Sequence, residues 1–287
     1  MTTSTTLLAI KRKVRRISPA RIFLYLILII LVFLILLPLW SGFVTAFKRR
    51  QDLQTTKPYQ PSPSPTLEPL ITTFDIMIRP LWNSFTFTIF ATLFSCIIGS
   101  MAGYILSKIK FRGSETVFLL IIVGIFIPYQ AVLVPLFLTM AELGLINNIL
   151  SLIITHTAFG IPICTLLFRS YYEEIPDSLI NAAIMDGAGT WRIYRKIILP
   201  LSILPFIVAA VFQFTNIWND FLFGLILTSG INAQPASVAL SNLKGSQVAL
   251  WHYQMAGTLW YSLPSLIVYF YLGKYLMRGF MTGALKG

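Results

Sequence analysis

The chain has 287 residues, of which 56% are hydrophobic and only 11% are charged, and its formal net charge is +12. This composition lies far outside the range of soluble domains, so most of the chain is predicted to lie in a membrane. The excess of Lys and Arg then indicates membrane orientation and contact with anionic lipid, and argues against nucleic-acid binding.

Six long uncharged runs predict six transmembrane helices, and hence an all-α polytopic membrane protein. Each run exceeds the roughly 20 residues that a helix needs to cross a bilayer core of about 30 Å. Only helices and closed barrels can span a membrane, and continuous apolar runs of this length are typical of helices. The runs are 22–47, 81–107, 116–141, 143–168, 197–219 and, if His252 is neutral, 245–273.

The distribution of Lys and Arg predicts that both termini are cytosolic. Most of the 22 basic residues fall on the side that holds the N-terminus, as expected for the inner face of a plasma membrane. The basic arm 1–21 precedes a transmembrane domain over 22–277, and a short basic tail over 278–287 follows it. The exception is the segment that this topology leaves outside, which has three acids and five basic residues, Lys48, Arg49, Arg50, Lys57 and Arg79.

Two segments are predicted to lie outside the membrane on the opposite face. Residues 48–80 are polar and rich in proline, which favours an extended linker, or alternatively a contact with a soluble partner. Residues 228–257 combine amides with aromatic side chains, which suit either a sugar or a delivery protein. Cys96 and Cys164 lie within predicted spans and are interpreted as small apolar residues, since no disulfide or metal-binding pattern is present.

The segment 170–196 between the fourth and fifth runs predicts a short cytosolic helix. Asp177 suits a helix N-terminus, apolar residues follow at helical spacing, and Gly187 is placed to end the helix. An ordinary amphipathic loop helix and a docking surface for another protein both fit this local pattern.

The fifth run carries polar residues where the others carry almost none. Gln213, Asn216 and Asp220 fall at i, i+3 and i+7, with Asn219 beside them, so one helical stripe is predicted to face the bundle interior or a wet cavity. The stripe either lines a solute pathway or forms hydrogen bonds between helices. His156 in the fourth run is either a neutral packing residue or a second solute contact.

The segment 175–200 resembles the "EAA" loop of bacterial ABC-importer permeases, which reads E-A-A, three residues, G, nine residues, I-x-L-P. The residues at these positions and their neighbours imply an ATPase-coupling role for Asn181, Ala182, Ala183, Asp186, Gly187, Leu199 and Pro200. The one departure is Asn181, where the family has Glu. Asp186 and Trp191 are similar to the carbohydrate-uptake branch, as are Trp218 to Phe221.

The C-terminal residues 278–287 also resemble the tail of sugar permeases, which implies that Gly279, Gly283 and Lys286 contact the ATPase. The resemblance further implies the type I ABC-importer permease fold in a bacterial or archaeal plasma membrane. Its expected partners are a second permease, two ATPase subunits that hold ATP and magnesium, and an extracytoplasmic solute-binding protein. The chain itself is expected to bind no cofactor or metal.

Two other functional classes, a secondary transporter and an intramembrane enzyme, fit the sequence less well than an importer permease. A secondary transporter would need a coupling-ion site and usually an internal repeat, and no convincing repeat relates the two halves of the chain. An intramembrane enzyme would need a catalytic constellation, and the sequence contains no P-loop, HExxH or GxSxG motif. An importer subunit for a sugar or sugar-like solute, without catalytic activity of its own, is therefore the main hypothesis.

Overall fold

A computed structural model describes residues 19–243 and 250–284, with the backbone alone from 276 onward, and the described chain is helical. The outer elements that open the chain are α1 (Pro19–Thr45) and α2 (Asp52–Thr55). The bundle elements are α3 (Glu68–Lys108), α4 (Ser114–Phe126), α5 (Leu133–Glu142) and α6 (Ile149–Glu173). The remaining elements are α7 (Asp177–Met185), α8 (Thr190–Ile193), α9 (Leu199–Leu201), α10 (Ile203–Trp218), α11 (Leu222–Leu227), α12 (Ala236–Asn242) and α13 (Trp251–Ala284).

Three helices, α1, α3 and α6, are each long and apolar enough to cross a membrane. Two bent helix pairs raise the number to five within the described residues, if each pair is one span. The sixth predicted run begins in residues outside the described part of the chain, and the rest of it lies in α13. Six spans and the side on which the termini lie therefore stay predictions.

The third predicted run is not one continuous helix. Helix α4 ends at Phe126, and the following segment Tyr129–Glu142 leaves at an angle of 90°. The break lies at Ile127 and Pro128, whose backbones are extended. A proline disfavours the α conformation of the residue before it and lacks the N–H that would continue the helix, which accounts for the break.

The fifth predicted run is also bent, since Thr190–Leu201 and α10 meet at 77°. A π-helical segment, Tyr194–Ile198, precedes the bend. The N–H of Leu199 bonds to the carbonyl of Tyr194, which widens the helix just before Pro200, a residue without an N–H of its own. Helix α10 starts only after Ser202.

Residues 48–80, for which the sequence predicts an extended external linker, contain more regular structure than predicted. Helix α3 begins at Glu68, with Pro69 in its first turn, so 68–80 is helical. Lys48 is only 1% exposed and fixes the loop that precedes α3. Its ammonium group donates to Thr56 Oγ1 at 2.8 Å and to the carbonyl of Lys57 at 2.7 Å. Burial lowers the pKa of Lys48, and the nearby charge of Asp52 opposes this shift in part.

The close packing of α3 against α6 forms the centre of the bundle. Gly99 lies directly against Cys164. A Cβ at Gly103 would come within 2.8 Å of the backbone nitrogen of Arg169 and 2.9 Å of Phe168 Cβ. Small residues four apart allow two membrane helices to approach this closely. Cys96 and Cys164 are buried free thiols beside this seam. By contrast, α1 touches the bundle mainly through α13 and buries only Val44 and Thr45.

Candidate functional site

Helix α7 presents two faces, one packed on the bundle and one exposed. Ile180 and Ala183 are buried in a core that also contains Phe168 and Tyr172 of α6. The outward face is mixed: Asp177, Ser178 and Asn181 are exposed, and so is the apolar Met185, at 86%. Trp191, beyond the turn in α8, is 59% exposed. An exposed patch of large apolar side chains outside the membrane-spanning helices is a recognised mark of a protein-binding surface.

Gly187 ends α7 in the left-handed conformation that the sequence predicted. Its φ is +77°, its N–H donates to the carbonyl of Ile184, and the N–H of Ala188 donates to the carbonyl of Ala183 at 2.9 Å. These bonds satisfy the last carbonyls of the helix in a Schellman motif. Asn181, Ala182 and Asp186 are exposed around this turn, and Leu199 and Pro200 are exposed at the other end of the segment.

The N-terminal end of α7 is attached to the end of α3. Lys108 Nζ donates to the carbonyl of Ile175 at 2.6 Å and to Asp177 Oδ1 at 2.7 Å. The contact with Lys108 lowers the pKa of Asp177, so this carboxylate stays ionised. The position of α7 therefore depends on α3 through one buried ammonium group.

A cluster of buried hydroxyl groups lies between the segment 175–200 and the bundle. Ser100 Oγ of α3 is hydrogen-bonded to Tyr172 OH of α6 at 2.6 Å and to Tyr194 OH of the π-helical segment at 2.9 Å. The ring of Tyr104 packs on that of Tyr194 at 5.5 Å. Three elements therefore meet at a single serine, and Tyr172 and Tyr194 both belong to the core that contains Ile180 and Ala183 of α7.

A cavity of about 590 Å³ lies between α4, α6, α10 and α11. It contains the four residues of the predicted polar stripe, namely Gln213, Asn216, Asn219 and Asp220. Aromatic rings form much of the remaining wall, from Tyr129, Phe159, Phe212, Phe221 and Phe223. Its size and its mixture of apolar walls with a few polar groups are typical of small-molecule sites.

The helical geometry predicted for the polar stripe is wrong at its end. Helix α10 ends at Trp218, and Asp220 instead precedes α11, where Oδ2 accepts from the N–H of Gly224 at 3.1 Å. Gln213 is buried, and its amide donates to Cys164 Sγ at 3.4 Å. The amide of Asn219 donates to the carbonyl of Thr215, back along its own helix, at 2.9 Å. Asn216 makes no comparable side-chain bond in the described part of the chain.

His156 of α6 belongs to the same cavity, and its Nε2 lies 3.6 Å from Asp220 Oδ2. A single histidine in an apolar run gives no signal of this pairing, because the partner lies in another helix. Within the described ranges, no three side chains of His, Cys, Asp or Glu come together.

Residues 95–281 match the family model for the binding-protein-dependent transport system inner membrane component. A probable ABC transporter permease protein of Pyrococcus horikoshii is 53% identical over 274 residues, which cover 95% of this chain and 100% of that protein. The chain belongs to this permease family.

Two further relatives extend the comparison to a named import system and to a solved structure. The xylose/arabinose import permease protein XacI of Haloferax volcanii is 33% identical to this permease, over 94% of this chain and 95% of its own. A chain of a bacterial ABC transporter involved in the import of the acidic polysaccharide alginate superposes with a TM-score of 0.73 at 22% identity. The match covers 90% of this permease and 98% of that chain, and it shows the fold.

Membership of the family decides between the functional classes weighed from the sequence. It supports a non-catalytic membrane subunit of an ABC transport complex, and supports neither a secondary transporter nor an intramembrane enzyme. The ABC-importer permease fold is confirmed. Of the predicted tail contacts, Gly279 and Gly283 lie on the backbone of α13, which runs on through Ala284, so the tail is helical up to that residue. Lys286 lies outside the described residues.

Proposed function

We propose that this permease is half of the membrane pathway of an ATP-driven importer for a sugar or sugar-like solute. Its partners are a second permease, two cytosolic ATPase subunits that hold ATP and magnesium, and an extracytoplasmic solute-binding protein. The complex resides in a bacterial or archaeal plasma membrane. The observation that carries the proposal is that α7, which ends at Gly187, exposes apolar side chains such as Met185. The chain also belongs to the permease family.

The coupling role of 175–200 is supported by the way α7 is mounted. Its buried face packs on α6 and its N-terminal end is attached to α3, while its exposed face carries Met185. Trp191 of α8 is exposed as well. A helix fixed on one side and exposed on the other can receive a force from a partner and pass it to the bundle. Of the seven predicted coupling residues, Ala183 belongs to the buried face, and the exposed ones are Asn181, Ala182, Asp186, Gly187, Leu199 and Pro200.

The solute class is supported by the chemistry of the cavity. Amides and a carboxylate hydrogen-bond hydroxyl groups, and aromatic rings cover the apolar C–H faces of a sugar ring. A relative named for xylose and arabinose import is similar over nearly its whole length. Solutes therefore pass along Asn216, Asn219 and Asp220, and Gln213 orders the wall behind them.

The proposed cycle is alternating access. ATP binding closes the ATPase dimer and moves α7, the bundle opens outward to receive solute from the binding protein, and hydrolysis returns it to the inward-facing state. This cycle needs both termini and 169–196 in the cytosol, with 48–80 and 228–257 outside. Single-cysteine labelling tests the topology: an impermeant reagent applied from outside should reach position 62 and not position 178, and the reverse result contradicts it.

The decisive experiment is purification of the complex through a tag on this permease. We expect a second permease and an ATPase to copurify, and the binding protein loaded with xylose, glucose, maltose or trehalose to stimulate ATP hydrolysis. Recovery of the chain alone, with uptake driven by a proton or sodium gradient, would refute the proposal.

A further inference from the structure

The cavity contains a buried polar atom without a partner. His156 is 6% exposed, and its Nε2 forms no hydrogen bond within the described structure. Buried polar groups are nearly always hydrogen-bonded, so such an atom beside a cavity needs an explanation. Asp220 Oδ2, at 3.6 Å, is too distant to be its hydrogen-bond partner.

Two aromatic rings fix the orientation of the imidazole. Phe87 stacks on it at a centroid distance of 5.6 Å with an interplanar angle of 10°, and Phe223 meets it edge-on at 5.4 Å. The carboxylate of Asp220 is fixed independently, by the backbone N–H of Gly224. The two polar groups are therefore held in place before any solute arrives, which reduces the entropic cost of binding.

We infer that His156 and Asp220 form a solute-binding pair that takes one hydroxyl group of an uncharged sugar between them; this rests on the proposed function. An oxygen to one side of the line that joins the two atoms can lie about 2.8 Å from both, because they are 3.6 Å apart. That hydroxyl donates to Asp220 Oδ2 and accepts from His156 Nε2–H. A hydroxyl group is suited to this place because it both donates and accepts.

The charges around the cavity exclude acidic sugars. No Lys or Arg is among the residues that line it in the described part of the chain, and Asp220 is its only carboxylate. A solute carboxylate would meet a like charge without a permanent cation to balance it, in surroundings where charges are poorly screened. The pair therefore selects neutral polyhydroxylated solutes over uronic acids of the same size.

The test uses the complete complex in proteoliposomes with its binding protein. Whichever of xylose, glucose, maltose and trehalose the wild type takes up fastest is compared with its monodeoxy derivatives and with the matching uronic acid. The variants are His156→Phe and His156→Gln, which keeps a donor. His252→Phe is the matched control, since His252 is the other histidine, is also buried and does not line this cavity.

We expect His156→Phe to slow uptake of the parent sugar about tenfold, as for loss of a hydrogen bond to a buried group. It should also remove the wild-type preference for the parent sugar over one monodeoxy derivative, whereas His156→Gln and His252→Phe keep that preference. The binding protein is common to all variants, so its own selectivity cancels.

An unchanged preference in His156→Phe, or faster wild-type uptake of the uronic acid than of the neutral sugar, overturns the inference while the proposed function stands. Failure of the wild type to take up any of the four sugars overturns both. If His156→Phe does not assemble, the His156→Gln variant decides. We expect it to keep the preference for the parent sugar, because Gln keeps a donor. Loss of that preference together with unchanged uptake of the parent sugar contradicts the pair.

Discussion

Lys108 Nζ lies 2.7 Å from Asp177 Oδ1, and the same ammonium group donates to the carbonyl of Ile175. The side chain of Lys108 is buried, whereas that of Asp177 is largely exposed. Lys108 therefore fixes the start of α7 mainly through the carbonyl, and Asp177 adds a weaker, solvent-screened contact.

This difference predicts unequal effects of removing the two partners. Lys108→Met should lower the Tm of the purified permease and reduce solute-stimulated ATP hydrolysis several-fold, because the Ile175 carbonyl and Asp177 both lose their donor. Asp177→Asn should cost much less. Equal effects of the two variants would show that the ion pair, and not the carbonyl contact, positions α7.

The ion pair also predicts a pH dependence. Because the pKa of Asp177 is lowered in the folded state, its contribution is complete above the usual aspartate value of about 3.9 and is lost as the pH falls further. The Tm difference between wild type and Asp177→Asn should thus stay constant from pH 8 to pH 5 and shrink only below pH 4. A difference that disappears near pH 6 would assign it to another group.

Gly187 and Gly189 provide a matched pair for testing the coupling turn. A Cβ at either position would meet no atom within 4 Å, but only Gly187 has a positive φ, and that of Gly189 is −74°. Gly187→Val should strain the turn by about 1 kcal/mol or more and weaken retention of the ATPase. Gly189→Val should retain it. If both variants keep the ATPase and full transport, α7 is not the coupling helix.

Asn181 should tolerate substitution better than Gly187. Its side chain is exposed, and it offers an amide where the family offers a carboxylate, so a weaker contact is available to be lost. We expect Asn181→Ala to reduce stimulated ATP hydrolysis less than Gly187→Val does in the same purified complex. A larger loss in Asn181→Ala would mean that the ATPase reads the amide directly.

Asn216 tests the solute pathway without disturbing the bundle. Asn216→Leu should lower uptake of the transported sugar about tenfold while the complex still assembles, since its amide lies in the cavity. Thr215→Val is the control, because the Thr215 hydroxyl donates to Val211 of its own helix and does not line the cavity. Normal uptake by Asn216→Leu would assign the polar residues to helix packing.

The seam between α3 and α6 predicts a severe effect for the smallest possible substitution. In Gly99→Ala, the added methyl group would overlap Cys164 Cβ and lie 3.0 Å from the Thr165 nitrogen, so the yield and Tm of the permease should fall. Gly273→Ala in α13 meets only Tyr269, at 3.7 Å, and should be neutral. Similar yields for the two variants would contradict the close packing of the seam.

The features that could be predicted from the sequence are those fixed by neighbouring residues. The turn at Gly187 follows from a helical pattern that stops at a glycine, and the long apolar runs follow from bilayer thickness. The cavity residues on α10 were found because polar groups are rare in such runs. Such patterns depend only on residues that are close in the sequence.

The features that could not be predicted depend on packing between distant segments. The third and fifth runs contain Pro128 and Pro200, but a proline in a membrane helix does not fix the angle of a bend. The bends of 90° and 77° therefore could not be derived from the sequence. Asp220 lies off the helical stripe because α10 ends at Trp218 and Asp220 precedes α11. The pairing of His156 with Asp220 depends on how α6 packs against that segment. Lys48 is buried by a loop that its own hydrogen bonds close.

The glycine seam makes α3 and α6 a single stiff unit, since helices in such close contact cannot slide or rotate without a clash. A push on α7 therefore cannot be absorbed between them. After the turn at Gly187 the backbone bends again at Ser202, where Thr190–Leu201 and α10 meet at 77°. If α7 couples to an ATPase as proposed, we expect α10 to pivot about Ser202 while α3 and α6 keep their positions, which opens or narrows the cavity.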